Sequence, residues 1–207
     1  MIDLDPGPEV AELRERVAAF VQATVIPAEQ RDHSEHGLDE SLRAELQDAA
    51  RVAGLFAPHV SVSLGGLGLD TRGQAAVFEE AGYSVLGPQA LNCAAPDEGN
   101  MHLLSVIATE QQRARYLVPL AAGAVRSCFA MTEPAPGAGS DPAMLATTAT
   151  KVDGGWSISG RKWFITGAEG AAFAICMART GESIRAGRGA TMFLVDADNP
   201  GMRVDRV

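Results

Sequence analysis

Two short stretches carry residue types that can hold a flat, negatively charged group. The first is Cys128-Phe129-Ala130-Met131-Thr132-Glu133-Pro134, followed by Ala135-Pro136-Gly137-Ala138-Gly139-Ser140-Asp141. A β-prone run ends there in a Thr-Glu-Pro corner, and Gly137, Gly139 and Ser140 let the backbone approach another group closely. The second is Gly160-Arg161-Lys162-Trp163-Phe164-Ile165-Thr166-Gly167. It reads as a further strand, with two aromatics and a hydroxyl in alternating positions, which puts Trp163 on the side opposite Phe164. A strand end with free N–H groups beside an aromatic and a threonine is what an isoalloxazine ring needs.

Other chemistry finds less support. Glu133 is a carboxylate beside this corner, which makes it a candidate base. Asp141 fits an Asx-turn or cap better than a catalyst. His33, His36, His59 and His102 show no ligand spacing such as H-E-x-x-H, and Cys93, Cys128 and Cys176 form no C-x-x-C pair. Metal chemistry and a disulfide framework are therefore not expected. Leu64-Gly65-Gly66-Leu67-Gly68-Leu69-Asp70 lacks the Lys-Ser/Thr of a phosphate loop and reads as a turn ahead of a helix capped by Asp70 or Thr71.

The elements that must position these residues change character along the chain. Val10, Leu13, Val17, Phe20 and Val21 fall at helical spacing between Glu9 and Val25, and Pro27 is expected to stop that helix. A second helix is predicted from Asp39 to Ala53, with Leu42, Leu46 and Ala50 on one face and Gly54 as its C-terminal cap. Leu55 to Asp70 reads as a loop, Thr71 to Tyr83 as a third helix, and Glu98 to Ala108 as a fourth with Met101, Leu104 and Ile107 on one face. Thr109-Glu110-Gln111-Gln112 forms a capping box that opens a fifth helix, ending at Gly123. Beyond Val125 come short β-prone runs: 126–132, 145–152, 156–159, 161–166, 171–178, 190–195 and 202–207. The turns Asp153-Gly154-Gly155 and Ser159-Gly160 are the clearest between them. The predicted fold class is α+β: an N-terminal helical domain over residues 1–124, then an antiparallel β-domain over 125–207.

Bulk properties bound the partners. The chain has 207 residues, 46% hydrophobic and 21% charged, as expected of a folded soluble chain of one to two domains. Its formal charge of −9 and the lack of a basic cluster make nucleic acid and anionic membrane surfaces poor candidates. There is no secretory signal and no apolar run of membrane-span length, so the cytoplasm is the expected compartment.

The two glycine-bearing stretches resemble the flavin-binding middle domain of the acyl-CoA dehydrogenase family, and the resemblance extends over the helical portion. It implies FAD as cofactor and α,β-dehydrogenation of an acyl-CoA thioester as the reaction. Phe129, Met131 and Thr132 would line the flavin, with the Thr132 hydroxyl at the ring edge where negative charge grows on reduction. Phe164 would pack on the flavin face away from substrate, Ile165 and Thr166 would follow it, and Ser140 would meet both pyrophosphate and acyl-CoA. Two extra residues, Ala135-Pro136, precede the Gly-Ala-Gly-Ser-Asp corner relative to the commonest family pattern.

Val204-Asp205-Arg206-Val207 breaks off inside a β-run, where family members continue into a C-terminal helical bundle that carries the base, so no catalytic residue is assigned here and Glu133 takes a structural role. An electron-accepting flavoprotein and a homo- or hetero-oligomer are the implied partners. Two alternatives stay open: a non-catalytic flavin-binding subunit that completes a site with a partner chain, and an acyl-CoA oxidase-like flavoenzyme.

Overall fold

The computed structural model describes residue 5 and residues 7–32, 38–137, 139–181 and 189–205. These divide into two compact units, Met1–Val125 and Arg126–Val207.

The first unit is helical. Helix α1 (Pro8–Phe20) buries Val17 and Phe20 and packs against the fourth helix, Thr71–Ala81, where Arg14 donates to Glu80 at 2.6 Å. Pro27 does not stop the chain's helical path. A π-turn at Val21–Val25 widens the spiral, so the Ile26 N–H reaches back to Val21 O, and α2 (Ile26–Ala28) continues past the proline. The wide turn relieves the clash between a proline ring and the carbonyl one turn earlier, and so accommodates a residue that otherwise breaks helices. The same device recurs before Pro119, where Arg113–Leu117 forms a second π-turn.

Helix α3 (Glu40–Val52) is N-capped by Asp39, which accepts from the backbone N–H of Ser41 at 2.9 Å and of Leu42 at 3.0 Å. Its apolar face, Leu42, Leu46 and Ala50, is buried as its spacing requires, and Gly54 closes it with φ 68°. Helix α4 (Thr71–Ala81) is capped by Asp70, whose carboxylate accepts from Gly73 N–H at 2.9 Å. The short helix α5 (Gly87–Ala90) precedes α6 (Asp97–Ile107), which buries Met101 and Leu104 but leaves Ile107 60% exposed at its end. The predicted fifth helix is a chain of segments: α7 (Glu110–Gln112), the π-turn and α8 (Val118–Ala121). Its reciprocal capping box between Thr109 and Gln112 is present. The orphan carbonyls at its far end are met by side chains. Asn92 Nδ2 donates to Leu120 O and Ala121 O, Arg51 to Ala122 O, and Arg43 to Gly123 O at 3.0 Å.

The second unit is a sheet. Strands β1 (Ser127–Ala130), β2 (Thr148–Val152), β3 (Gly155–Ser159), β4 (Phe173–Arg179) and β5 (Ala190–Asp196) form one five-stranded sheet in which β4 is central. The α+β class holds, while the sheet is mixed rather than antiparallel throughout. β1 runs parallel to β4 with Ser127 opposite Phe173 and Ala130 opposite Cys176, and Thr148 of β2 pairs in parallel with Arg179. β2–β3 and β4–β5 are antiparallel hairpin partners. The parallel pairing follows from the long connection between β1 and β4, which allows the chain to return to the start of β1 before it enters β4. Two predicted strands do not form. Residues 161–166 hold no strand because Phe164 takes φ 51°, a left-handed conformation that ends any pleat. Residues 202–205 are irregular, and Arg206 and Val207 lie outside the described residues.

No helix among the described residues is long and apolar enough to cross a membrane.

Candidate functional site

The site grows out of the C-terminal exit of β1. Cys128 and Ala130 face inward and pack in one apolar cluster with Ala171 and Ala174. Alternation turns Phe129 to the other face, where it stays partly buried, with Met131 and Thr132 beyond the end of the strand. Glu133 is then drawn fully inside, 2% exposed. Its carboxylate accepts from Ala146 N–H at 2.6 Å, Thr147 N–H at 3.0 Å and the Lys162 ammonium at 2.8 Å. Its backbone N–H donates to Gly139 O at 3.0 Å, which folds the glycine loop back on the corner and places Ser140 beside it.

Burial alone would raise the Glu133 carboxyl, but the ammonium of Lys162 and the backbone N–H groups of Ala146 and Thr147 outweigh it and hold the group down to about 2. A carboxylate so fully engaged and so acidic is a tie between segments. It cannot serve as a base near neutrality.

Two glycines make this packing possible. A β-carbon at Gly137 would stand 2.7 Å from Glu133 Cβ, and one at Gly160 would stand 2.2 Å from Thr147 Oγ1. Each marks a close approach that a side chain would forbid.

The second stretch is laid along the same exit. Trp163 N–H donates to Thr132 O at 3.1 Å, and Lys162 Nζ donates to Met131 O at 2.9 Å. Ile165 packs against the cluster around Cys128 and Ala130. Phe129, Met131, Thr132, Phe164, Ile165 and Thr166 therefore belong to two neighbouring segments tied to each other, with Ser140 on the loop that folds onto their corner. Thr166 and Ser140 are exposed. Phe164 is 82% exposed in its left-handed backbone conformation. Trp163 does not alternate away from it: with no strand, the two rings lie 4.7 Å apart, centroid to centroid. Asp141 accepts from Ala143 N–H at 2.9 Å and caps the short 3₁₀ turn Pro142–Met144, as its Asx role requires.

Sequence reasoning gave Lys162 no role and read Gly160 only as part of a turn, whereas the close backbone approach expected at Gly137 is present. No local signal marks Lys162, because its partner Glu133 lies 29 residues away in the chain. Among the described residues no cluster of three potential ligands could hold a metal ion, and His33 and His36 lie outside them. All three cysteines are free thiols.

Comparison with known proteins agrees with this architecture. Residues 7–124 match the model of the acyl-CoA dehydrogenase N-terminal domain, and residues 128–207 match that of the acyl-CoA dehydrogenase middle domain. The chain belongs to the acyl-CoA dehydrogenase family. It is 39% identical over 178 residues to the probable acyl-CoA dehydrogenase FadE2 of Mycobacterium tuberculosis, an alignment covering 84% of this chain and 42% of that protein. A putative acyl-CoA dehydrogenase from Mycobacterium abscessus superposes with a TM-score of 0.87 at 33% identity, covering 97% of this chain and 53% of that one. Butyryl-CoA dehydrogenase from Megasphaera elsdenii gives a TM-score of 0.75 at 27% identity, covering 97% of this chain and 51% of that one. The chain thus spans about half the length of these relatives.

Proposed function

We propose that this chain supplies the flavin-binding part of an FAD-dependent acyl-CoA dehydrogenase, with a helical domain over residues 1–124 and the flavin-binding β-domain over 125–207. The observation that carries the reading is Phe164. A large aromatic that is 82% exposed and held at φ 51° is an outlier in both packing and backbone, of the kind that persists where a ligand completes the surroundings. A flat ring system fits that role, and the hydroxyls of Thr132 and Thr166 on the two adjoining segments and of Ser140 on the loop beside them offer donors for its polar edge and for phosphate.

In this reading Phe129, Met131 and Thr132 contact the ring from the β1 exit, Phe164, Ile165 and Thr166 contact it from the second segment, and Ser140 binds pyrophosphate and acyl-CoA. A flavin held by these residues would supply a hydride acceptor for the hydrogen on the β-carbon of an acyl thioester. The chain's own residues bind and orient: the Thr132 and Thr166 hydroxyls donate toward the ring edge that gains negative charge, and the Phe164 ring shields one side from water. Glu133 takes no proton in this scheme, and the base is supplied from outside these residues. Electrons pass on to an accepting flavoprotein, the assembly is oligomeric and the compartment is the cytoplasm.

The test is a titration of the purified protein with FAD, followed anaerobically by a panel of acyl-CoA thioesters in the presence of the remaining portion of the enzyme. Bleaching of the flavin band by an acyl-CoA supports the reading. Failure of FAD to bind at all rejects it, and rapid reoxidation by oxygen would point to the oxidase alternative.

A further inference from the structure

Lys162 is left without a role by the flavin reading, yet its side chain bridges two points of the β1 exit. Its side chain is 12% exposed, and its ammonium donates to Met131 O at 2.9 Å and Glu133 Oε1 at 2.8 Å. The residue between those two, Thr132, accepts from the Trp163 N–H at 3.1 Å. Three successive residues of the β1 exit are therefore bound by two successive residues of the second segment. Upstream, Gly160 lies against Thr147, and Thr147 N–H binds the same Glu133 oxygen as Lys162, at 3.0 Å. Downstream, Phe164 departs at once into its exposed, left-handed conformation.

We propose that Lys162 is a positioning residue of the cofactor site: by bridging Met131 O and Glu133 it sets the register of residues 163–166 on the β1 exit and so holds Phe164 where it faces the ligand. What is positioned rests on the flavin reading, whereas the register itself rests on the contacts alone. Charge neutralisation of Glu133 does not account for the arrangement, because Lys162 also supplies a donor to a backbone carbonyl of the other segment. A residue that only neutralised a buried carboxylate would have no need to reach Met131.

The experiment must separate positioning from stability. Lys162→Met alone strands a buried carboxylate and can unfold the protein, so the informative variant is Glu133→Gln/Lys162→Met, in which both charges go and the volumes stay. Replacing a buried ion pair by neutral groups of similar size often leaves stability near its starting point. Trp156 and Trp163 are the two tryptophans. In a Trp156→Phe background, emission and acrylamide quenching report on Trp163 without any cofactor. Measured against Glu133→Gln, which carries the same amide set against the Ala146 or Thr147 N–H, the double variant is expected to melt no lower while the Trp163 quenching constant rises about twofold and FAD binding weakens about tenfold, the equivalent of one lost charge-assisted hydrogen bond. Unchanged quenching and unchanged FAD affinity in a folded double variant would overturn the proposal, and so would loss of folding, since the pair would then be a stability element. If the parent binds no FAD but the double variant still releases Trp163, the register claim stands and the flavin reading falls.

Discussion

Gly137 crosses Glu133 so closely that a β-carbon added at 137 would stand 2.7 Å from both Glu133 Cβ and Glu133 Oε2. Contact, not backbone conformation, imposes glycine there, since Gly137 is absent from the positive-φ positions. Gly137→Ala must therefore push the loop off the buried carboxylate and is expected to destabilise the protein by about 1–3 kcal/mol. Gly99→Ala is the control. It lies in α6 with open space around its added methyl, so it should be neutral or raise stability by up to about 1 kcal/mol. Denaturant titration of the two variants checks the contrast.

Glu133 also predicts a pH limb. Its carboxyl is lowered from 4.5 to about 2 in the fold, so the unfolded chain takes up a proton that the folded chain refuses. Stability from this group is complete above pH 4.5 and is lost as pH falls toward about 2. The amount is on the order of 3 kcal/mol. Glu133→Gln should lower stability at neutral pH, because Lys162 is left buried without its partner, and flatten that limb. Melting temperature against pH for the two proteins is the measurement, and an equal slope in both would contradict the assignment.

How much of this was legible in the sequence divides along physical lines. Helix caps depend on residues three apart, so Asp70 and the Thr109–Gln112 box were readable without coordinates, while Asp39, read as the first residue of its helix, proves to be its cap. Pro27 misled because a π-turn depends on local crowding that periodicity does not encode. The proximity of the two candidate segments was suggested by residue type, but not their backbone: residues 161–166 alternate like a strand, and only packing against Met131, Thr132 and Glu133 turns them into an irregular segment that lays Trp163 beside Phe164. The parallel pairing of β1 with β4 was likewise invisible, because nothing in either strand records which neighbour it meets.

His59 gives a second acid limb, in the helical unit. Both ring nitrogens are buried without a hydrogen-bond partner, the ring packs edge-on to Phe78, and burial together with the nearby His102 pushes its pKa down to about 4 from 6.5. Above pH 6.5 the neutral ring is tolerated, and between 6.5 and about 4 the unfolded state alone is protonated, so stability falls with pH across that window. The loss is up to about 3 kcal/mol. His59→Leu should remove it while leaving the lower limb of Glu133 in place, a separation that amide exchange of the two units can resolve.

The central claim is that the β1 exit and the 163–166 segment together hold FAD, and the most direct measurement is the FAD dissociation constant of the protein and of Phe164→Ala and Thr166→Ala. On the proposed reading each substitution would remove one contact, a stacked ring or a hydrogen bond to the ring edge worth roughly 1–3 kcal/mol, so affinity is expected to fall about five- to a hundredfold with melting temperature unchanged. Equal affinity in all three proteins would contradict the account.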